Sequence, residues 1–145
     1  MQITVMNHLR PSWDSIWISL AKEISKRSYD PRNKVGAVIV TADNTQVLGI
    51  GYNGDWAGGP NKVKSLVPGK SGFIHAEVNA LIKMNFSCHK EKKIYVTLSP
   101  CSVCAKAIIN GGISELIYLD DYRDRSGLDI LDEAGVKIKK FRSED

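Results

Sequence analysis

Apolar side chains recur at helical spacing over residues 12–28, where Trp13, Ile16, Trp17, Leu20 and Ile24 fall on one face. Ser12 stands before them as an N-cap, Asp14 sits in the first turn, and Asp30-Pro31 stops the run. The stripe is expected to be core. The pattern then changes period. Residues 34–41 (KVGAVIVT) are β-branched and apolar, Asp43-Asn44 reads as a turn, and residues 46–52 (QVLGIGY) form a return strand. The unbroken VGAVIV run predicts a strand covered on both faces. Residues 54–72 have no period and are rich in Gly, Pro and Lys. A structureless stretch of that length in a small domain is usually functional, so this one is expected to border a site.

Residues 76–84, 102–110 and 126–134 read as helices, and residues 93–98, 114–119 and 136–140 as strands. Gly111-Gly112 and Gly135 close the last two helices. Helical crossovers between successive strands imply parallel pairing and helices on both sheet faces. With the hairpin in front, the chain predicts a five-stranded mixed sheet in a layered α/β domain over residues 1–145. No break in composition suggests a second domain.

Composition changes this picture little. The net charge of +4 is spread along the chain, so nucleic-acid binding is not expected. The first residues, MQITVMNHLRPSW, lack signal-peptide character, and no run is long and apolar enough for a membrane span. A cytoplasmic protein is expected, in the host cytoplasm if the source is viral. Of three cysteines, Cys88 stands apart and reads as a half-buried free thiol.

The chemistry lies in two short stretches, His75-Ala76-Glu77 and Pro100-Cys101-Ser102-Val103-Cys104. Catalytic zinc has three protein ligands and an open position, and His75, Cys101 and Cys104 count to three. His8 and His89 are remote from both halves as a fourth. Cys101 and Cys104 share a face at the start of a helix, where thiols ionise more readily. His75 and Glu77 would diverge within a regular helix, so His75 is expected in the turn entering it. Zinc lowers the pKa of a bound water, and Glu77 can move the protons. H-x-E followed by P-C-x-x-C is the signature of zinc deaminases that act at C4 of cytosine or C6 of adenine. The joint pattern is specific; either half alone is weak.

On RSYDPRNKVGAVIV, GIGYNG, HAEVNA, YVTLSPCSVCAKAIINGGI and the YLDDY at residues 118–122, the chain resembles the deoxycytidylate (dCMP) deaminase family. That resemblance implies the three-layer α/β/α cytidine-deaminase-like fold and hydrolysis of dCMP to dUMP and ammonia. It implies one zinc on His75, Cys101 and Cys104, with Glu77 as proton shuttle. It implies that Ala76 offers its amide to the pyrimidine carbonyl and Asn53 contacts the sugar or phosphate. Ser99 then meets the base amino group, and Arg27 and Tyr122 neighbour the phosphate or base. It further implies a hexamer activated by dCTP and inhibited by dTTP, with magnesium (Mg2+) on the triphosphate. Asn33, Lys34 and Gly54 fall in the effector blocks. Trp56 and Gly58-Gly59 depart from the family pattern, and the loop lacks the Cys and His of relatives with a second zinc. Three rival readings share the zinc motif: a bifunctional dCMP/dCTP deaminase, a nucleic-acid deaminase, and a catalytically silent zinc module.

Overall fold

The computed structural model describes residues 10–143. Helix α1 (Trp13–Ser25) precedes strands β1 (Gly36–Thr41) and β2 (Val47–Tyr52). Helix α2 (Ala76–Ile82), β3 (Lys92–Leu98), α3 (Ser102–Asn110), β4 (Ile113–Asp120), α4 (Ser126–Glu133) and β5 (Lys137–Lys140) follow. The five strands form one sheet in the order β2-β1-β3-β4-β5. β1 runs antiparallel to both β2 and β3, while β3-β4 and β4-β5 are parallel. The mixed sheet predicted from the sequence is therefore present, with the hairpin strand β1 inserted between β2 and β3. Among the described residues, no helix is long and apolar enough to cross a membrane.

The side-chain alternation of the strands divides the core in two. Ala37, Ile39, Ile94, Val96 and Leu116 pack with Ala80, Leu81, Ile108 and Leu131 of α2, α3 and α4. Val38, Val40, Tyr95 and Ile117 pack on the other face with Trp17, Ile18 and Ala21 of α1. All six residues of β1 are buried, as its unbroken apolar run requires. β5, at one sheet edge, reads Lys-Ile-Lys-Lys and exposes Lys137 and Lys139. Lysines on a short edge strand discourage pairing with other chains.

Two details of α1 differ from the sequence reading. The helix ends at Ser25, and tight bonds from the amides of Lys26, Arg27 and Ser28 to the carbonyls three residues back carry the chain out of it. Its apolar stripe is core only in part: Trp13 is 50% exposed and Ile16 40%. The residues of α1 that pack on the sheet are Trp17, Ile18 and Ala21, while the first turn meets it through Asp14, which accepts from Tyr95 of β3 and Lys139 of β5. Trp13 instead stacks on Trp17, with ring centroids 5.4 Å apart. The Trp17 indole N–H donates to Asn44 Oδ1 at 2.9 Å and ties α1 to the β1–β2 turn. Asn44 turns there at φ 65°, in the left-handed region that Asn tolerates.

The C-terminal ends of β2, β3 and β4 and the start of β1 all lie along one margin of the sheet, as the pairing directions require. In open α/β sheets, ligands bind beyond the carboxyl ends of the strands. Here that margin carries Asn53 after β2, Ser99 after β3, Tyr122 after β4 and Asn33 before β1.

Candidate active site

Helices α2 and α3 begin at this margin, and both begin unusually. Ser12 caps α1 in the ordinary way, its side chain accepting from the Ser15 amide at 3.1 Å. The N-caps of α2 and α3 are His75 and Cys101, and neither side chain makes a cap bond. A Ser, Thr, Asp or Asn there would add about 1 kcal/mol. The two side chains turn toward each other instead. His75 is extended at φ −70°, ψ 154°, which is the turn geometry expected from its spacing to Glu77. Its Nδ1 lies 3.1 Å from Cys104 Sγ and 3.5 Å from Cys101 Sγ. One nitrogen and two sulfurs thus fall within 4.8 Å of one another.

Close backbone packing fixes both helix starts. A Cβ on Gly51 of β2 would meet the Ala76 carbonyl oxygen and the Ala80 nitrogen of α2, each at 2.5 Å. A Cβ on Gly127 of α4 would lie 2.0 Å from the Pro100 carbonyl oxygen. These two glycines let α2 lie directly on β2 and let α4 press against the turn bearing Cys101. Behind His75, the amide and carbonyl of Gly54 pair with those of Ile74 at 3.0 and 2.8 Å, closing the base of the loop.

The electrostatics suit a cation. A hydrogen bond from the Cys104 thiol, helped by His75 and opposed by burial, holds Cys101 down to about 4. Cys104 is pushed up in consequence, first by that hydrogen bond and then by burial. The imidazole is held above its ordinary value, chiefly by its bond with Cys101, with burial acting against it. Two sulfurs and one imidazole match the ligand chemistry of catalytic zinc. Three donors would leave a bound zinc one position open to water or substrate.

Glu77 lies beside this cluster with 4% of its surface exposed. Burial pushes its carboxyl up to about 7; its own backbone N–H and His75 pull it down, and Cys101 pushes it up. Glu77, His75 and Cys101 line a cleft of about 690 Å³, open mouth included.

The cleft gathers most of the residues singled out in the sequence. Asn33, Asn53, Ala76, Ser99 and Tyr122 line it. Ala76 is the first residue of α2, where amides have no intrahelical acceptor. Ser99 Oγ accepts from the Tyr122 amide at 2.7 Å, so it also holds Tyr122 in place. Asn53 has a structural task besides lining the cleft. Its Oδ1 accepts from the Val35 amide at 2.8 Å, and its Nδ2 donates to the Asn33 carbonyl at 2.8 Å.

Three candidates stand elsewhere. Arg27 is exposed and outside the cleft wall. Lys34 lines a separate surface depression with Lys22 and Lys26, and Asn33 belongs to both walls. Gly54 is buried at the loop base. Cys88 is a half-buried free thiol, as expected. His89 is exposed and outside the metal cluster, and His8 lies outside the described residues. Residues 54–72 border the site as anticipated, through Ser65, Val67, Pro68, Gly69 and Ser71. Sequence reasoning missed Asp30 and Arg32. Both line the cleft, and their signal was their place in the same RSYDPRN block that drew attention to Arg27.

The fold and the histidine and two cysteines beside a buried glutamate define a deaminase of the zinc-binding class. Residues 11–120 match the cytidine and deoxycytidylate deaminase zinc-binding region, and the chain belongs to that family. It is 36% identical over 142 residues to a deoxycytidylate deaminase of Pongo abelii, covering 89% of this chain and 79% of that protein. It is 36% identical over 128 residues to the deoxycytidylate deaminase of Mycobacterium phage D29, covering 75% and 95%. The crystal structure of dCMP deaminase from cyanophage S-TIM5, in complex with dCMP and dUMP, superposes with a TM-score of 0.78 at 31% identity. That match covers 91% of this chain and 98% of the phage enzyme.

Proposed function

We propose that this chain hydrolyses dCMP to dUMP and ammonia at the cleft holding Glu77. The observation that carries the reading is the buried Glu77 carboxyl beside the His75–Cys101–Cys104 cluster, in a chain related to proteins named for this reaction. The three donors would hold zinc, which as a Lewis acid brings the pKa of a water toward neutrality. Glu77 would take a proton from the attacking water and pass it to the ring nitrogen as the oxygen adds to C4; it would then return a proton to the amino group as the C4–N bond breaks and ammonia leaves. A carboxyl held near 7 can accept and release that proton at physiological pH.

The Ala76 amide donates to the pyrimidine carbonyl, the free amides of a helix N-terminus being suited to growing negative charge. Ser99 faces the amino group and keeps Tyr122 against the base. Asn53 fixes the Asn33–Val35 turn beside the sugar. By family likeness the enzyme works as a hexamer that dCTP activates and dTTP inhibits, with magnesium on the triphosphate. Asn33 supports a link between effector and site, since it lies between the cleft and the lysine-lined depression.

Ammonia release by zinc-loaded protein tests the reading, with dCMP, dCTP, deoxycytidine, cytidine and a single-stranded oligonucleotide as substrates. Each arm is run with and without dCTP–magnesium or dTTP where these are not themselves the substrate. dCMP is expected to be the preferred substrate. Turnover of the oligonucleotide but not dCMP, or of none of them, would overturn it.

A further inference from the structure

We infer that Arg32 reads the 5′-phosphate of the substrate and so sets the preference for a nucleotide over a nucleoside, an assignment that rests on the dCMP deamination proposed above. The cleft wall carries two acidic side chains, Asp30 and Glu77. Among the described residues lining it, Arg32 is the only one with a permanent positive charge. A phosphate monoester brings close to two negative charges at pH 7. A cation is needed to offset their repulsion by the carboxylates. The planar guanidinium also pairs with phosphate oxygens two at a time.

The position of Arg32 is fixed at both ends. Asp30 Oδ1 accepts from the amides of Arg32 and Asn33 at 2.8 and 3.2 Å. Asp30 is itself buried, and Asn53 Nδ2 reaches its second oxygen at 3.4 Å. The side chain thus departs from a braced turn. At its far end, Nη1 donates to the Leu66 carbonyl of the 54–72 loop, which ties the guanidinium to the loop that borders the cleft. A guanidinium has five N–H donors, so others remain for a ligand. Glu77 and Ala76 are buried, whereas Arg32 is exposed. A pyrimidine seated against the first two directs its sugar and phosphate outward, toward the third.

An arginine that served only to latch the loop would behave differently. Its loss would impair nucleotide and nucleoside alike, whereas loss of a phosphate contact separates them. The test is Arg32→Ala and Arg32→Lys in zinc-loaded protein. kcat and KM are measured for dCMP and deoxycytidine, and inhibition constants for the products dUMP and deoxyuridine. Arg32→Ala is expected to raise KM for dCMP and Ki for dUMP roughly ten- to a hundredfold. kcat for dCMP should stay within a few-fold, with the deoxycytidine and deoxyuridine constants unchanged. Arg32→Lys should recover part of the loss through its point charge.

Equal losses for both substrates, or an unchanged nucleotide-to-nucleoside ratio, would overturn the assignment. Should Arg32→Ala fail to fold by circular dichroism, the same ratios in Arg32→Lys and Arg32→Gln decide it. Wild-type protein that releases no ammonia from dCMP would sink the deamination reading instead. The dUMP-to-deoxyuridine binding ratio would still judge Arg32.

Discussion

Glu77 is a carboxyl kept from water within reach of a cation site, and its burial has a chemical consequence. A group held near 7 exchanges protons readily at neutral pH, whereas an exposed glutamate remains ionised. Glu77→Gln preserves shape and removes the proton exchange. It should lower kcat by roughly 10²–10⁴ while metal content, measured by atomic emission, stays at one zinc per chain. Turnover like wild type would remove Glu77 from the mechanism. Asp14 is a carboxyl of the opposite kind. Burial raises its pKa, but hydrogen bonds from Lys139 and Tyr95 outweigh this and hold it below the ordinary 3.8. The folded state therefore binds fewer protons than the unfolded chain as pH falls. The stabilisation is fully present above 3.8 and is lost as pH drops through the lowered folded value. Asp14→Asn should cost about 1 kcal/mol at neutral pH. Denaturant titrations of wild type and variant should converge as the pH is taken below 3.8, and a constant gap would contradict the linkage.

The helix α2 is a positioning device whose accuracy depends on β2. Gly51→Ala would drive a methyl group into the backbone of α2 at 2.5 Å, where no side chain can move aside. The helix must lift, taking His75 and Glu77 with it. Overpacking of this kind costs roughly 1–3 kcal/mol. A displacement of an ångström at a catalytic group can cost about a hundredfold in rate. Thermal melts and kcat should therefore fall together in Gly51→Ala; a variant that melts early but turns over normally would separate the packing from the site. That role for Gly51 was hidden in the sequence, because GIGY reads simply as a strand and the close approach comes from a helix 25 residues later. His75, Glu77, Cys101 and Cys104 were legible because each pair lies within four positions and local backbone geometry brings its members together. Arg32 was not, because its place in the cleft depends on contact with Leu66, 34 residues away, in a stretch without periodicity. Trp13 and Ile16 misled for a related reason. Periodicity identifies the apolar face of a helix but not which of its residues the sheet covers, and here Trp17, Ile18 and Ala21 are buried while Trp13 and Ile16 are not.

Across the whole molecule, the metal cluster joins elements that the sheet alone holds less directly. His75 enters from the connection after β2, and Cys101 and Cys104 from the connection after β3, with β1 lying between those strands. A cation bound by all three donors links the two connections at the sheet margin. It is bound by the folded arrangement, since the unfolded chain has no preformed site. Binding energy then adds to folding stability in proportion to the logarithm of free metal over its dissociation constant, about 2.7 kcal/mol at a hundredfold excess. Binding also requires release of the protons that the Cys104 thiol and the imidazole hold. Removal of zinc with a chelator should therefore abolish ammonia release and lower the melting temperature by several degrees. At about 2–8 °C per kcal/mol, the shift expected for a domain of this size is well within the range of calorimetry. Zinc added back at neutral pH should restore both, with less recovery as the pH is lowered and protons compete for the sulfurs. A chelated protein that melts unchanged yet regains activity with zinc would make the cluster a purely catalytic fitting. Coincident loss and recovery would make it a part of the fold.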